Sequence, residues 1–351
     1  MAVGSELAAM RRAVELSTRG RGGTLPNPVV GCVIIAADGA VAGEGWHERP
    51  GGPHAEVVAL AAAGERARGG TAVVTLEPCA HTGRTGPCTT ALLAAGIHRV
   101  VVAVEDPNTE AGGGIEILRA AGADVELGPG AAEAEEANRP WLTAVRRGRP
   151  YLTWKFGATL DGRVAAADGT SRWITGDAAR ADVHRLRAEC DTILSGIGTV
   201  LADDPWLTVR TDDGQVAARQ PLRVVADTHG RTPADAAVRD SAAPTWIVTA
   251  DDVGCGPDGH LDLTALLHAL FDRGQRHVLL EGGPGLAGGF LAAGLIDEVV
   301  AYLAPLLLGA GPAALAGGVS TLAEAHRLDL VDVARLGDDV RLTCRPRTAP
   351  R

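Results

Sequence analysis

The sequence lacks any long apolar run. Of its 351 residues 46% are hydrophobic, yet no stretch approaches the roughly 18 uncharged residues that a membrane-spanning helix requires. The opening segment, MAVGSELAAMRRAVELSTRG, is charged and amphipathic, unlike a secretion signal. A chain of this length can bury at least one full core and is long enough for two domains. We therefore predict a soluble cytoplasmic protein that does not associate with membranes.

Cysteine and lysine are both scarce. Six cysteines are too few for a disulfide scaffold in a chain of this length, so a cysteine in a special setting is more readily a metal ligand or a nucleophile. Lys155 is the one lysine among 33 basic residues. Because arginine serves at every other basic position, the ammonium kept at 155 indicates a site where the shape or the acidity of the cation matters.

Neither half of the sequence has a net positive charge. A polar, helix-breaking cluster at Arg146–Pro150 predicts a boundary between domains 1–146 and 147–351. The first domain has 12 basic and 17 acidic residues, and the second has 21 and 26. A nucleic-acid-binding protein usually carries a basic domain or stripe, so we predict no nucleic-acid partner.

Both halves alternate helical and extended patterns. The first half predicts an α/β fold with three layers. The second half restarts with a strand at Tyr151–Ala158. It ends in extended stretches that include Leu328–Leu336 and Asp339–Cys344, which Gly337-Asp338 joins as a hairpin signal. We predict a second α/β domain with an antiparallel finish.

A histidine, a glutamate and two cysteines form a metal-site pattern in the first half. His54 opens a predicted helix, Cys79 follows a predicted strand, and Cys88 begins the next helix. Strand ends and helix starts on one side of a sheet converge, so these three side chains can bind Zn²⁺ and leave a fourth position open. Glu56 is then placed to move protons without binding the metal. This is the signature of zinc-dependent base deaminases.

Two other interpretations stay open at this point. A non-catalytic nucleotide-sensing protein could hold a structural zinc with His81 as fourth ligand, although Glu56 would then be unnecessary. A nucleic-acid base deaminase with a C-terminal binding module is the other alternative. In such deaminases two residues separate the cysteines, whereas eight residues, Ala80–Pro87, separate them here.

Longer motifs in the first half carry a family resemblance. They are TLPNPVVGCVI at 24–34, HAEVVAL at 54–60 and VTLEPCAHTGRTGPC at 74–88. With them the chain resembles the bacterial bifunctional deaminase-reductase family of riboflavin biosynthesis, which commonly has proline where this chain has Gly86. The resemblance implies a cytidine-deaminase-like α/β/α domain with one Zn²⁺ per chain. It also implies substrate contacts from Asn27, His81 and Arg84.

Five motifs extend the resemblance over the second half: KFGATLDGR at 155–163, SRWITG at 171–176, HRLRAECDTILSGIGTVLADDPWLTVR at 184–210, LRVVAD at 222–227 and LLEGGPGLAGGFL at 279–291. They resemble the reductase half of the same family, which implies a dihydrofolate-reductase-like α/β domain that uses NADPH. The run of glycines after the strand at 277–281 matches a dinucleotide fingerprint only weakly, because no acidic residue lies about 20 positions further on.

The resemblance implies two sets of contacts in the second half. The cofactor contacts are Ala158, Trp173, Thr199, Asp203, Thr228, Gly283, Pro284, Gly285, Leu286, Ala287, Gly288 and Gly289. The substrate contacts are Ser171, Arg187, Leu207, Arg210 and Glu281.

Lys155 is the candidate acid of the reductase half. Lys155 and Asp161 lie six residues apart around a strand end, near enough for an ion pair or a proton relay. Opening a ribosylamine needs a proton donor while a hydride reaches C1′, so we predict that Lys155 contacts the substrate and acts as an acid. A structural ion pair is the alternative.

The resemblance implies two consecutive steps of riboflavin synthesis. The first is hydrolytic, zinc-dependent deamination of 2,5-diamino-6-ribosylamino-4(3H)-pyrimidinone 5′-phosphate to 5-amino-6-(5-phosphoribosylamino)uracil. The second is reduction of the ribosyl to the ribityl side chain by NADPH. The expected partner is thus a small phosphorylated pyrimidine, and we expect a homo-oligomer.

Overall fold

The computed structural model describes residues 4–81, 86–108 and 111–347. The chain divides into two units, Met1–Gly148 and Arg149–Arg351, so the boundary predicted after Arg146 lies two residues earlier than this division. Within the described ranges, no helix combines the length and apolar character needed to cross a membrane.

The first unit contains a five-stranded sheet. Its strands are β1 (Gly31–Ile35), β2 (Val41–Trp46), β3 (Thr71–Leu76), β4 (Arg99–Val104) and β5 (Asp124–Leu127). Their order across the sheet is β2-β1-β3-β4-β5. Strand β1 pairs antiparallel with β2 and β3, whereas β3, β4 and β5 are parallel. The carboxyl ends of β3 and β4 therefore meet at one edge.

Helices cover both faces of this sheet. Those in the described residues are α1 (Gly4–Thr18), α2 (Ala55–Ala63), α3 (Cys88–Ala94), α4 (Gly114–Ala120), α5 (Ala131–Ala137) and α6 (Arg139–Arg147). Side chains alternate along β1: Val33 and Ile35 pack with α1, α5 and α6, whereas Cys32 and Ile34 pack with α2, α3 and α4. The predicted three-layer α/β/α domain is confirmed.

The sequence analysis did not predict helix α6, which ends at the predicted junction of Arg146–Pro150. Pro140 lies in the first turn of α6, where a missing N–H costs no helical hydrogen bond. Trp141 is buried, and its Nε1 donates to the carbonyl oxygen of Pro26 at 3.0 Å. The residue before α6, Asn138, accepts a hydrogen bond from the backbone N–H of Val29 at 3.2 Å. The start of α6 thus anchors the loop that carries Asn27.

The second unit contains an eight-stranded sheet. Its strands are β6 (Tyr151–Thr159), β7 (Thr192–Gly196), β8 (Leu222–Ala226), β9 (Thr245–Val248), β10 (His277–Leu280), β11 (Glu298–Ala304), β12 (Leu328–Leu336) and β13 (Asp339–Pro346). Their order is β12-β13-β11-β6-β10-β7-β8-β9. Strand β13 pairs antiparallel with β11 and β12, and the other pairs are parallel. The predicted antiparallel finish is confirmed.

Five α-helices accompany this sheet in the described residues. They are α7 (Asp177–Ala188), α8 (Ile197–Asp203), α9 (Ala250–Val253), α10 (Leu263–Asp272) and α11 (Pro284–Ala292). The largest core of the unit joins α10 and α11 to one face of β6, β7, β8 and β10. Helix α11 follows β10 after three residues, so its N-terminus lies at the carboxyl edge of the central parallel strands.

Candidate active sites

The three predicted zinc ligands converge in the first unit. His54 precedes the first residue of α2, Cys88 is the first residue of α3, and Cys79 lies three residues beyond β3. The Nδ1 atom of His54 is 3.2 Å from Sγ of Cys88 and 3.5 Å from Sγ of Cys79. All three potential ligand atoms lie within 4.8 Å of one another. One imidazole and two thiolates suit Zn²⁺ and leave a tetrahedral position for water.

The electrostatics of the cluster favour a thiolate. A hydrogen bond from the thiol of Cys88 lowers the pKa of Cys79 most strongly, and His54 and the backbone N–H of Cys88 add to this effect. That backbone N–H lies 3.4 Å from Sγ of Cys79. Since thiolates are the metal-binding form of cysteine, the donor set fits Zn²⁺.

Glu56 lies in the first turn of α2 and is only 3% exposed. Burial raises the pKa of Glu56 to about 7. A carboxyl group with a pKa near neutrality can both accept and return a proton. Beside the cluster, Glu56 therefore has the property that a proton shuttle needs.

Sequence reasoning missed His47, which connects Asn27 to the cluster. The ring of His47 packs edge-on against that of His54, with centroids 5.3 Å apart. Its Nδ1 atom is 3.1 Å from the carbonyl oxygen of Pro53, and its Nε2 atom is 3.1 Å from the amide nitrogen of Asn27. The structure therefore brings Asn27 to the metal cluster. A lone histidine after a strand gives no sequence signal for this role.

The other predicted substrate contacts of this unit differ in status. His81 is exposed and is not part of the ligand cluster, so the structure does not favour it as a fourth zinc ligand. Arg84 lies outside the described residues.

Sequence reasoning also missed Glu77, which stabilises the Pro-Cys turn. Its buried carboxylate accepts hydrogen bonds from the backbone N–H groups of Asp106 at 3.0 Å and Ile115 at 2.9 Å. A Cβ atom at Gly114 would lie 1.8 Å from the carbonyl oxygen of Pro78. The turn before Cys79 thus packs directly on the start of α4.

In the second unit, Lys155 meets Glu281 and Arg187. Lys155 lies on β6, Glu281 follows β10 and Arg187 lies on α7. Nζ of Lys155 is 3.6 Å from Oε2 of Glu281. Arg187 binds both oxygens of Glu281, at 2.5 and 3.0 Å. Burial lowers the pKa of Lys155, and the two cations hold the pKa of Glu281 at about 2 despite its burial.

The expected pair between Lys155 and Asp161 is wrong. The carboxylate of Asp161 accepts hydrogen bonds from the hydroxyl of Thr159 and from the backbone N–H groups of Leu308 and Gly309. Asp161 therefore closes a local turn. The carboxylate beside Lys155 comes instead from the neighbouring strand β10.

Two cavities lie at the carboxyl edge of this sheet. The first measures about 540 Å³, and the second measures about 940 Å³. The first is lined by predicted residues that include Lys155, Ser171, Thr199, Asp203, Glu281, Gly283 and Pro284. The second is lined by predicted residues that include Thr228, Gly288 and Gly289. Gly285 and Leu286 line both.

The remaining predicted contacts of the second unit line neither cavity. Ala158 and Ala287 are fully buried, and Trp173 is 69% exposed with the guanidinium of Arg180 stacked 4.6 Å from its ring. Arg187 is already occupied by Glu281 and by the carbonyl oxygen of Thr208. Leu207 and Arg210 are the others in this group.

The loop after α8 is held by a buried arginine that sequence reasoning missed. Leu207 has a φ of 49°, a conformation that costs energy for a leucine. The fully buried Arg223 donates to the carbonyl oxygen of Trp206 at 3.2 Å and to the carboxylate of Asp240 at 2.7 Å. His184 accepts a hydrogen bond from the backbone N–H of Arg210 at 3.2 Å. These contacts fix the segment that carries two predicted substrate residues.

The geometry defines a zinc-type base deaminase joined to a nucleotide-dependent reductase. Family comparisons agree with this class. Residues 4–104 match the cytidine and deoxycytidylate deaminase zinc-binding region, and residues 150–342 match the RibD C-terminal domain.

Curated relatives match over nearly the whole chain. The riboflavin biosynthesis protein RibD of Escherichia coli is 45% identical, with 95% of this chain and 97% of the relative covered. RibD of Mycobacterium tuberculosis is 47% identical, with 95% of this chain and 96% of the relative covered. The chain belongs to the RibD family and is a bifunctional riboflavin-biosynthesis enzyme, with a zinc-dependent deaminase domain and an NADPH-dependent reductase domain.

Solved structures agree with this assignment. Acinetobacter baumannii RibD superposes with a TM-score of 0.89 at 41% identity, over 98% of this chain and 99% of that one. A Thermotoga maritima diaminohydroxyphosphoribosylaminopyrimidine deaminase/5-amino-6-(5-phosphoribosylamino)uracil reductase superposes with a TM-score of 0.87 at 34% identity, over 97% and 99%. The predicted fold of both domains is confirmed, and the nucleic-acid deaminase and structural-zinc alternatives receive no support.

Proposed function

We propose that this enzyme deaminates 2,5-diamino-6-ribosylamino-4(3H)-pyrimidinone 5′-phosphate and then reduces the ribosyl group of the product to ribityl. The observation that carries the first step is the convergence of His54, Cys79 and Cys88 beside the buried Glu56. The second step is supported by Lys155 and Glu281, which line a cavity at the N-terminus of α11.

In the deaminase domain, His54, Cys79 and Cys88 would hold Zn²⁺, which would supply a Lewis acid that makes a water molecule more acidic. Glu56 would accept the proton that the attacking water loses when its oxygen forms a bond to C2 of the pyrimidine. Glu56 then delivers the proton toward the 2-amino group, which leaves as ammonia. Asn27, which contacts His47, would bind the pyrimidine, and His81 would contact the phosphoribosyl group.

In the reductase domain, bound NADPH would supply a hydride to C1′ of the sugar. Lys155 donates a proton to the ring oxygen as the bond between C1′ and that oxygen breaks, and the exocyclic nitrogen supplies the electron pair of the new C=N bond. Glu281 holds the Lys155 ammonium and balances its charge. Ser171, Leu207 and Arg210 contact the substrate.

The proposed cofactor contacts fall into two groups along the cavities. Thr199, Asp203 and the N-terminus of α11 bind the nicotinamide half and the phosphates, because exposed helix amides favour anions. Thr228, Gly288 and Gly289 line the part that receives the adenosine half. Ala158 and Ala287 offer only backbone atoms to the cofactor, since both side chains are buried.

A coupled assay tests both steps. The zinc-loaded protein is given the diaminopyrimidine phosphate without nucleotide, and released ammonia is measured. NADPH is then added, and its oxidation is followed by absorbance. We expect one ammonia and one NADPH per substrate molecule. Release of ammonia without later NADPH oxidation would contradict the second half of the proposal.

We also propose that two copies of the chain pair through β12. This edge strand is exposed along both faces, with Leu330 61% and Val333 56% exposed. An antiparallel two-fold pairing centred on Asp332 would set Asp329 of one copy opposite Arg335 of the other, which is a favourable charge pair.

Light scattering coupled to size-exclusion chromatography tests this pairing. We expect the wild-type protein to be a dimer and Leu330→Asp to shift it toward the monomer. Val41→Asp, on an exposed position of the other unit, is the control and should stay dimeric. A wild-type monomer, or a dimer that survives Leu330→Asp unchanged, would exclude β12 as the interface.

A further inference from the structure

We propose that Arg231 recognises the 2′-phosphate of NADPH and thereby sets the preference of this reductase for NADPH over NADH. The inference rests on the proposed use of a nicotinamide nucleotide, and it concerns a residue outside every motif that the sequence analysis singled out. It is carried by the position of Arg231 in the larger cavity and by the turn that holds it there.

The two cavities adjoin each other. Gly196, Gly198, Gly285 and Leu286 line both of them. Lys155 and Glu281 line the smaller cavity, where the hydride must be delivered. With the pyrophosphate at the N-terminus of α11, the adenosine half extends into the larger cavity. Arg231 lines that cavity together with Thr228.

The turn after β8 directs Arg231 toward the cavity. Asp227 directly follows β8, and its Oδ2 atom accepts hydrogen bonds from the backbone N–H of Thr232 at 2.7 Å and from the hydroxyl of Thr232 at 2.8 Å. The backbone N–H of Gly230 donates to the carbonyl oxygen of Asp227 at 3.1 Å. This closed turn fixes the backbone on both sides of Arg231.

Asp227 cannot serve the function that an acidic residue has in NAD-specific sites. Such a carboxylate accepts hydrogen bonds from the ribose hydroxyls, but Asp227 is fully buried. One of its oxygens is used by Thr232. The other lies 3.8 Å from Nε of Arg231. Because Asp227 is fully buried and does not line the cavity, its carboxylate is not placed to select the 2′-hydroxyl.

Among the described residues, the Arg231 guanidinium has one partner, the carboxylate of Asp227. Its contact with Asp227 involves Nε, so the terminal nitrogens remain for a bidentate interaction, which suits a phosphate. Among the described residues that line this cavity, Arg231 is the one arginine or lysine. The carboxylates of the lining residues Asp258 and Asp262 accept backbone hydrogen bonds, from His260 and from Thr264 and Ala265 respectively.

The test is direct binding by isothermal titration calorimetry, with NADPH, NADH, adenosine 2′,5′-bisphosphate and 5′-AMP as probes. In Arg231→Gln we expect NADPH and the bisphosphate to bind about 10- to 100-fold more weakly, as expected for the loss of charge-assisted hydrogen bonds. NADH and 5′-AMP should bind within about 2-fold of wild type. Arg231→Lys should keep part of the NADPH affinity, because it keeps the charge without the planar fork.

Arg273→Gln is the matched control, since it removes one positive charge from the same unit at a residue that stacks on Trp246 outside the cavity. It should leave all four affinities unchanged. Unchanged NADPH binding by Arg231→Gln would overturn the assignment, as would an equal loss for all four probes, which would reveal a structural role. A wild-type protein that binds neither NADPH nor NADH would contradict the proposed function itself.

Discussion

Glu56 combines burial, proximity to a metal-ligand cluster and a pKa of about 7. Glu56→Gln keeps the size of the side chain but removes its ability to exchange protons. Because Glu56 is not among the three ligands, we expect stoichiometric zinc and a loss of deamination of at least about 10²- to 10⁴-fold. Metal analysis and an ammonia assay measure the two results.

The exposed Glu65 gives the control for this variant, since Glu65→Gln should change neither zinc content nor rate. Reduction of deaminated substrate should stay at the wild-type level in both variants. Loss of zinc from Glu56→Gln, or unchanged ammonia release, would refute the assignment of Glu56 as proton shuttle.

Lys155 gives a second prediction at the scale of single residues. Its ammonium is confined by Glu281 and lies 5.8 Å from the ring centroid of Tyr302, and Arg187 already occupies the far side of Glu281. Lys155→Arg keeps the charge, but the guanidinium is broader and far less acidic. We expect the reductase rate to fall at least about 10-fold, equivalent to about 1.4 kcal/mol.

Saturating NADPH and deaminated substrate isolate this effect, and zinc content and deamination should not change. A near-normal rate in Lys155→Arg would mean that only the charge matters and would argue against acid catalysis by Lys155.

The same residue shows what sequence reasoning could and could not reach. The amino-acid composition of the chain singles out Lys155, but the sequence analysis assigned Lys155 the wrong carboxylate partner. Strands β6 and β10 pair in parallel with Leu280 opposite Trp154, which brings Glu281 next to Lys155 although the two are far apart in sequence. Spacing along the sequence favours Asp161 as the partner of Lys155. It cannot predict which residues of two distant strands lie side by side.

Among the secondary-structure elements, β7 and β10 are joined by a half-buried acid, Asp191. Asp191 precedes β7, and its carboxylate accepts hydrogen bonds from the backbone N–H groups of Arg276 at 2.6 Å and His277 at 3.1 Å. Burial raises the pKa of Asp191 to about 6. Since this value exceeds the unfolded one near 3.9, the folded state holds the proton more tightly, and ionisation lowers stability as the pH rises from about 4 to about 6.

Asp191→Asn removes this titration, and it also removes one side-chain oxygen that accepts a hydrogen bond from a backbone N–H. The cost of that loss does not depend on pH, so the free energy of unfolding of the variant minus that of wild type should rise by about 2 kcal/mol between pH 4.5 and pH 7. Guanidinium unfolding at the two pH values measures the difference. An identical difference at both values would show that Asp191 ionises normally in the folded protein.

Strands and most helices could be predicted from the sequence because their apolar periods are regular. The hairpin at Gly337-Asp338 is one example, with Leu328–Leu336 as observed. The end of a helix is harder to predict: the helix that follows His54 ends at Ala63, where Gly64 takes a φ of 56°. Helices α6 and α8 were missed since glycine, proline and arginine in their segments are also typical of turns. Tertiary burial of Trp141 and Val200 stabilises them.

At the scale of the whole molecule, the division into two units predicts that the deaminase and reductase activities can be separated. Each has its own buried clusters, so a fragment of residues 147–351 should fold and reduce deaminated substrate with NADPH. Circular dichroism and an NADPH oxidation assay check this expectation. A folded but inactive fragment would contradict the reductase site, and an insoluble one would contradict the independence of the units.

Zinc depletion of the full-length enzyme tests the central claim, two chemistries on one chain, most directly. The chelator-treated protein is assayed for ammonia release from the diaminopyrimidine phosphate and for NADPH oxidation with the deaminated product. We predict that ammonia release falls to background and returns when one equivalent of Zn²⁺ per chain is added, while NADPH oxidation stays unchanged throughout. Ammonia release that survives depletion, or NADPH oxidation that falls with it, would contradict the assignment of separate zinc-dependent and nucleotide-dependent sites.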